Sequence, residues 1–340
     1  MISDETLSRR QMMLASAMGP AIAIALADPL VVEIMVNPDG ALRLDRLGEG
    51  CVDSGSILES SQVERIIRLV ASHVRSEVSS EAPILSAELP GYAGQGAGER
   101  FEGVLPPVAT APCFSIRKAA SRIYTLEDYV ADGVMAPNIA ARLRKAVGAR
   151  QNILVAGGTS SGKTTLANAL LAQMATRGER IILIEDTREL QCAAPDCVAL
   201  RTRPGSVSMA DLVRSTLRLR PDRIIVGEVR GVEALDMLKS WNTGHPGGIA
   251  TVHANSALGA LYRLEQLVQE ASVHIPKRLI AEAIDIIVFI AGRGLARRVE
   301  GFAEVRGLDP SGDYDVTDLC AAPCANAFPT PISTQEGDVS

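Results

Sequence analysis

Apolar positions along the first quarter of the chain change period several times. From about Leu7 to Ala27 they follow a helical rhythm, which Asp28-Pro29 stops. Leu30 to Val36 is an apolar, β-branched run, Asn37-Pro38-Asp39-Gly40 is a turn, and Ala41 to Asp45 alternates, so a hairpin is expected. Val63, Ile66, Ile67, Val70 and Val74 return to helical spacing. Gly91 to Gly98 reads as a mobile glycine-rich loop before two further strands, around Phe101 to Leu105 and Cys113 to Arg117. This half is expected to be a mixed α/β domain, residues 1–120.

Residues 121–137 read as a linker, with a short helix at Leu126 to Ala131 inside the connection, and a helix from Asn138 to Val147 follows. Strand-like apolar runs then recur at Asn152–Ala156, Arg180–Ile184, Cys197–Leu200, Arg223–Val226, Gly248–Val252 and Ile284–Ile290, mostly with helical patterns between them. Such alternation predicts a mostly parallel sheet covered on both faces, residues 138–308. From about Asp309 the chain turns to Pro, Ser, Thr and Asp, so residues 309–340 are expected to be a disordered tail.

Composition narrows the reading. At 340 residues and 47% hydrophobic, the chain can fill two cores. Aromatics make up only 3% and the net charge is −6, which weighs against direct nucleic-acid binding. The six cysteines show no C-x2-C pair and fit free thiols in a reducing compartment. Arg9-Arg10 and the apolar run Met12 to Ala27 imitate a secretory signal, but Gly19-Pro20 interrupts the run, which is also too short to span a bilayer.

Gly157-Gly158-Thr159-Ser160-Ser161-Gly162-Lys163-Thr164, followed by Thr165, fits G-x-x-x-x-G-K-[ST] and lies between an apolar strand and a helix over Thr164 to Met174. Its glycines let backbone N–H groups close on a β-phosphate, and the helix N-terminus adds partial positive charge. Lys163 is expected to bridge the β- and γ-phosphates of ATP, and the Thr164 hydroxyl to ligate Mg2+. Two more strands end in acids, Ile184-Glu185-Asp186 and Val226-Gly227-Glu228. At strand ends beside a phosphate loop, Glu185 and Glu228 become candidates for the base that activates water and the acid that holds Mg2+ through its water shell. His253 follows a strand and could sense the γ-phosphate; His245, His73 and His274 read as structural.

In order along the chain, this loop, Ile184-Glu185-Asp186-Thr187, Pro221 to Arg230 and Thr251-Val252-His253-Ala254-Asn255 resemble the Walker A, Asp, Walker B and His boxes of the secretion ATPase superfamily. Glu233 to Gly248 and Glu33 to Gly40 are similar to its conjugal-transfer, TrbB-type branch of type IV secretion; the resemblance spans about residues 7 to 308. It implies a RecA-like P-loop motor behind an N-terminal domain that covers the nucleotide cleft. It also implies a homohexameric ring at the cytoplasmic face of the inner membrane, in contact with inner-membrane components of a conjugation apparatus. Glu185 is then the base, Glu228 the Walker B acid and His253 a γ-phosphate switch. Arg100 and Arg117 match N-terminal positions that reach the phosphates. No tetracysteine module follows the His box, which disfavours the type II branch and leaves pilus and tight-adherence motors, a slow nucleotide-gated ring and a DNA translocase as alternatives.

Overall fold

In the computed structural model, the protein is described over residues 4–89, 98–119, 122–203 and 205–320. The expected glycine-rich loop falls almost wholly outside these residues. The first half runs α1 (Asp4–Ala27), β1 (Val31–Val36), β2 (Ala41–Arg46), β3 (Gly50–Ile57), α2 (Ser60–Val74), β4 (Ile84–Glu88), β5 (Arg100–Val104) and β6 (Cys113–Arg117). Its six strands form one sheet in the order β3-β2-β1-β6-β5-β4, with every pairing antiparallel. Helices α1 and α2 pack on one face through Leu14, Ile22, Ile66, Ile67 and Val70, against Ile34, Phe101, Phe114 and Ile116. Gly19, at φ 72, and Pro20 kink α1, as a glycine in the left-handed region followed by proline must.

The opposite face of this sheet carries charge. Directly paired antiparallel residues project to the same side, and the pairs Glu88↔Arg100, Arg100↔Arg117 and Arg117↔Glu33 make one continuous row across four strands.

The second half contains α3 (Leu126–Ala131), α4 (Pro137–Gly148), β7 (Ile153–Gly157), α5 (Lys163–Met174), β8 (Ile181–Glu185), β9 (Cys197–Arg201), α6 (Met209–Thr216), β10 (Arg223–Val229), α7 (Glu233–Asn242), β11 (Ile249–His253), α8 (Ala257–Gln269), α9 (Lys277–Ala283), β12 (Ile286–Ala291), β13 (Arg298–Leu308) and β14 (Tyr314–Asp318). The eight-stranded sheet has the order β14-β13-β12-β7-β11-β10-β8-β9. The six strands from β12 to β9 are parallel, and β13 and β14 add antiparallel at one edge. Alternation along each buried strand divides two cores. Leu154, Ile184, Ile224 and Val252 face α6 to α9, while Ile153, Val155, Leu183 and Ile225 face α3 to α5. This is the RecA-like α/β arrangement that the sequence predicts.

Two expectations need correction. The tail expected from residue 309 is ordered through residue 318, because Tyr314–Asp318 pairs with β13. The polar spacing of β14 hides a strand that closes the edge of the sheet beside β13. Strands β3, β4 and β13 were likewise unexpected; every position on β3 is exposed or only half-buried, and no apolar stripe marks it. Residues 321–340 lie outside the described residues.

Arg223, at the start of β10, is 0% exposed. Its Nε pairs with Glu179 at 2.6 Å, Nη1 donates to the Gly247 carbonyl at 3.2 Å and Nη2 to the Val147 carbonyl at 2.9 Å. A buried guanidinium persists only when its charge and donors are matched in this way.

Candidate nucleotide site

Strand β7 runs into the loop at Gly157, whose backbone lies so close to β12 that a Cβ there would meet the Ile290 carbonyl oxygen at 2.3 Å. Gly162 has φ 94, a conformation side chains rarely adopt, and a Cβ on it would meet the Arg297 guanidinium at 2.8 Å. These two contacts explain why this motif demands glycine at both ends. Lys163 begins α5, is 8% exposed and donates through Nζ to the Gly157 carbonyl at 3.1 Å and the Gly158 carbonyl at 2.9 Å. Burial pushes its ammonium pKa down; Glu228 opposes this, and Arg117 and Arg230 reinforce it.

Glu185 ends β8 with only 4% exposure. Its Oε1 accepts from the Glu189 N–H at 2.9 Å and the Leu190 N–H at 2.8 Å. Burial raises its pKa to about 7 against these two N–H groups, which favour the charged form, and nearby Glu189 and Glu88 push it further up. A carboxyl group tuned to that range is suited to general-base work at neutral pH. On β10, Glu228 forms a short ion pair with Arg230, and Arg230 also reaches Asp186 at 3.6 Å. The other Glu228 oxygen, Oε1, is buried with no hydrogen-bond partner and lies 3.4 Å from His253 Nε2. Burial, with Lys163 next, lowers the His253 pKa, while Glu228 pulls it the other way.

Arg100, Thr164, Glu185, Asp186, Thr187, Glu189, Gly227, Glu228 and Arg230 line one cleft of about 380 Å³. The structure therefore gathers Thr164, Glu185, Glu228 and Arg100 around a single space, with Lys163 at its loop and His253 against Glu228. Arg117 stands one strand behind Arg100, close enough for Lys163 to feel its charge. His245 is placed elsewhere, with Nδ1 3.1 Å from the Pro221 carbonyl oxygen.

Three contributors were not singled out from the sequence. Arg230 stands two residues beyond Glu228 and folds back on it, which the run Glu228-Val229-Arg230 hints at only weakly. Glu189 is one of several charges in its segment. Arg297 comes from the β12–β13 connection, more than 130 residues after the loop, and no local pattern marks it.

The family model described as type II/IV secretion system protein matches residues 98–323. The chain is 49% identical over 296 residues to the conjugal transfer protein TrbB of Rhizobium radiobacter, covering 86% of this chain and 90% of that protein. It is 36% identical to the type IV secretion system protein PtlH of Bordetella pertussis, covering 79% of this chain and 88% of that protein. Among solved structures, the ATPase DotB of Legionella pneumophila superposes with a TM-score of 0.57 at 15% identity, covering 87% of this chain and 78% of that chain. That last likeness concerns the fold alone.

Proposed function

The chain belongs to the type II/IV secretion system protein family, a family of ATPases, and from this premise we propose that it hydrolyses ATP with Mg2+ to energise a conjugative type IV secretion system. The observation that carries the chemistry is a buried carboxyl group with a pKa near 7, Glu185, in the same cleft as Thr164 and Glu228. In this reading Lys163 leaves the loop carbonyls to bridge the β- and γ-phosphates. Residues from Gly157 to Thr165 enclose the phosphates with backbone N–H groups. Glu185 takes the proton of the attacking water. Arg100, with Arg117 behind it, neutralises charge that grows on the transferring phosphoryl group. His253 registers the γ-phosphate through Glu228.

The donor set fits a magnesium ion. Mg2+ is ordinarily held by one or two side-chain oxygens together with phosphates and water, and Glu228 Oε1 is a buried carboxylate oxygen without a hydrogen bond. Thr164 would hold the ion directly and Glu228 through water. When bound, the ion offsets phosphate charge.

The chain divides in this reading into an N-terminal domain at residues 1–120, a linker at 121–137 and the ATPase domain from 138. It works as a homohexamer at the cytoplasmic face of the inner membrane, docked on the secretion apparatus. No helix among the described residues is long and apolar enough to cross a membrane, and a peripheral placement needs none. Steady-state phosphate release from the full-length protein with Mg-ATP, over a range of protein concentrations and beside Glu185→Gln, tests the proposal. Activity should rise more steeply than protein concentration and vanish in the variant. Tight ATP binding with no turnover in either protein would point instead to a nucleotide-gated ring.

A further inference from the structure

The N-terminal sheet brings more to the ATPase domain than its two arginines. Glu88 closes the charged row at β4, the edge strand of that sheet, and is the register partner of Arg100. Its carboxylate is used twice, both times across the boundary between the sheets. Oε1 accepts from the Arg188 N–H at 3.2 Å, and Oε2 forms a close ion pair with Arg201.

These two partners stand on either side of Glu185. Arg188 immediately precedes Glu189 and Leu190, whose N–H groups hold the Glu185 carboxylate. Arg201 is the register partner of Glu185 on β9, and the next residue, Thr202, donates its N–H to the Glu185 carbonyl at 3.0 Å. One carboxylate from the first sheet thus grips both the loop and the strand between which Glu185 sits.

We propose that Glu88 is a positioning residue for Glu185, transmitting the placement of the N-terminal sheet to the carboxylate that activates water. The proposal rests on the reading of Glu185 as general base. Arg100 and Glu88 are neighbours in one row, so a movement of the sheet that brings Arg100 to the phosphates also sets the walls around Glu185. Arg201 is 44% exposed and Glu88 17%, so solvent reaches the pair from the arginine side and keeps its contribution to stability modest. Misplacing a reacting group by about 1 Å, by contrast, costs up to about 100-fold in rate. The effect of losing Glu88 therefore falls on turnover while the fold persists.

The test uses the full-length protein and its Glu88→Ala, Glu88→Gln and Glu185→Gln variants, with ATP hydrolysis and amide hydrogen exchange measured on each. In Glu88→Ala, kcat should drop about tenfold with KM for ATP changed less than about twofold, since displacement of the base acts on the chemical step. Exchange at Glu189 and Leu190 should quicken, and the melting temperature should hold. Glu88→Gln keeps an oxygen for the Arg188 N–H and should recover at least half of the lost turnover. Exchange at Glu189 and Leu190 that stays at the wild-type rate in Glu88→Ala overturns the proposal, and so do equal losses in Glu88→Ala and Glu88→Gln. Faster exchange in Glu88→Ala together with full hydrolysis in Glu185→Gln would keep the grip and remove the base reading. The reverse pattern would keep the base and remove the grip.

Discussion

Glu185→Gln should stabilise the protein at alkaline pH while abolishing its turnover. The Glu185 carboxyl has a pKa of about 7 in the fold against 4.5 in an unfolded chain. The folded state thus binds this proton more tightly, and ionisation opposes folding. That penalty is absent below the unfolded value, grows as pH rises from 4.5 to about 7, and is complete above. The gap amounts to about 3 kcal/mol, most of which develops between about pH 5 and about pH 8. At 4% exposure, little solvent screening reduces it. Glutamine keeps an oxygen for the Glu189 and Leu190 N–H groups and has no proton to lose. Thermal melts of both proteins without nucleotide, at these two pH values, isolate the contribution because every other titrating group cancels. Moving to alkaline pH should lower the wild-type melting temperature by roughly 5–10 °C more than that of the variant. Parallel changes in the two proteins would show that the carboxyl is ionised across the whole range, and the argument for a tuned base would fall with it. The same ionisation should give wild-type hydrolysis an acidic limb near pH 7.

Three further outcomes follow from contacts around the site. Lys163→Ala should lose hydrolysis by at least about 100-fold while its circular dichroism stays unchanged, since among the described residues Nζ bonds only its own loop; preserved turnover would remove the phosphate assignment. Arg230→Ala frees the Glu228 carboxylate from its ion pair, so the Mg2+ concentration for half-maximal activity should fall, by no more than about fivefold given the modest worth of exposed pairs; a rise in a magnesium titration would contradict this. Gly248→Ala places a Cβ 2.1 Å from the Trp241 ring, whose Nε1 donates to the Ile224 carbonyl, and should cost about 1–3 kcal/mol in urea denaturation.

What the sequence revealed follows from how local each constraint is. The phosphate loop was readable because its conformation demands glycine at fixed positions beside a lysine, all within one turn of chain. Glu185 and Glu228 were readable as acids that end apolar strands. Their division of roles, and the choice of Arg100 and Arg117, came from resemblance, because nothing in the residues around an arginine on one sheet says that it faces a cleft in another. Strands β3, β4 and β14 escaped because an exposed edge strand needs no apolar stripe, and β13 escaped because Arg298, Glu300, Glu304 and Arg306 break up its apolar positions. Arg297 and Glu88 escaped for a different reason. Each meets its partner only after the sheets are assembled, Arg297 against Gly162 and Glu88 against Arg188 and Arg201.

The Arg223 network lies at the end of the sheet away from the cleft. It ties the first residue of β10 to the end of α4, to Glu179 ahead of β8 and to Gly247 ahead of β11. The roots of β8, β10 and β11 are therefore fastened to one another and to the helix that leads into β7, while the tips of these four strands carry Glu185, Glu228, His253 and Gly157. Spreading the tips would break the hydrogen bonds that pair these parallel strands along their length, and strands packed on both faces resist that. In the proposed function the tips keep their spacing, and the N-terminal sheet, which meets the second sheet through Glu88 and brings Arg100 to the cleft, is the part expected to move.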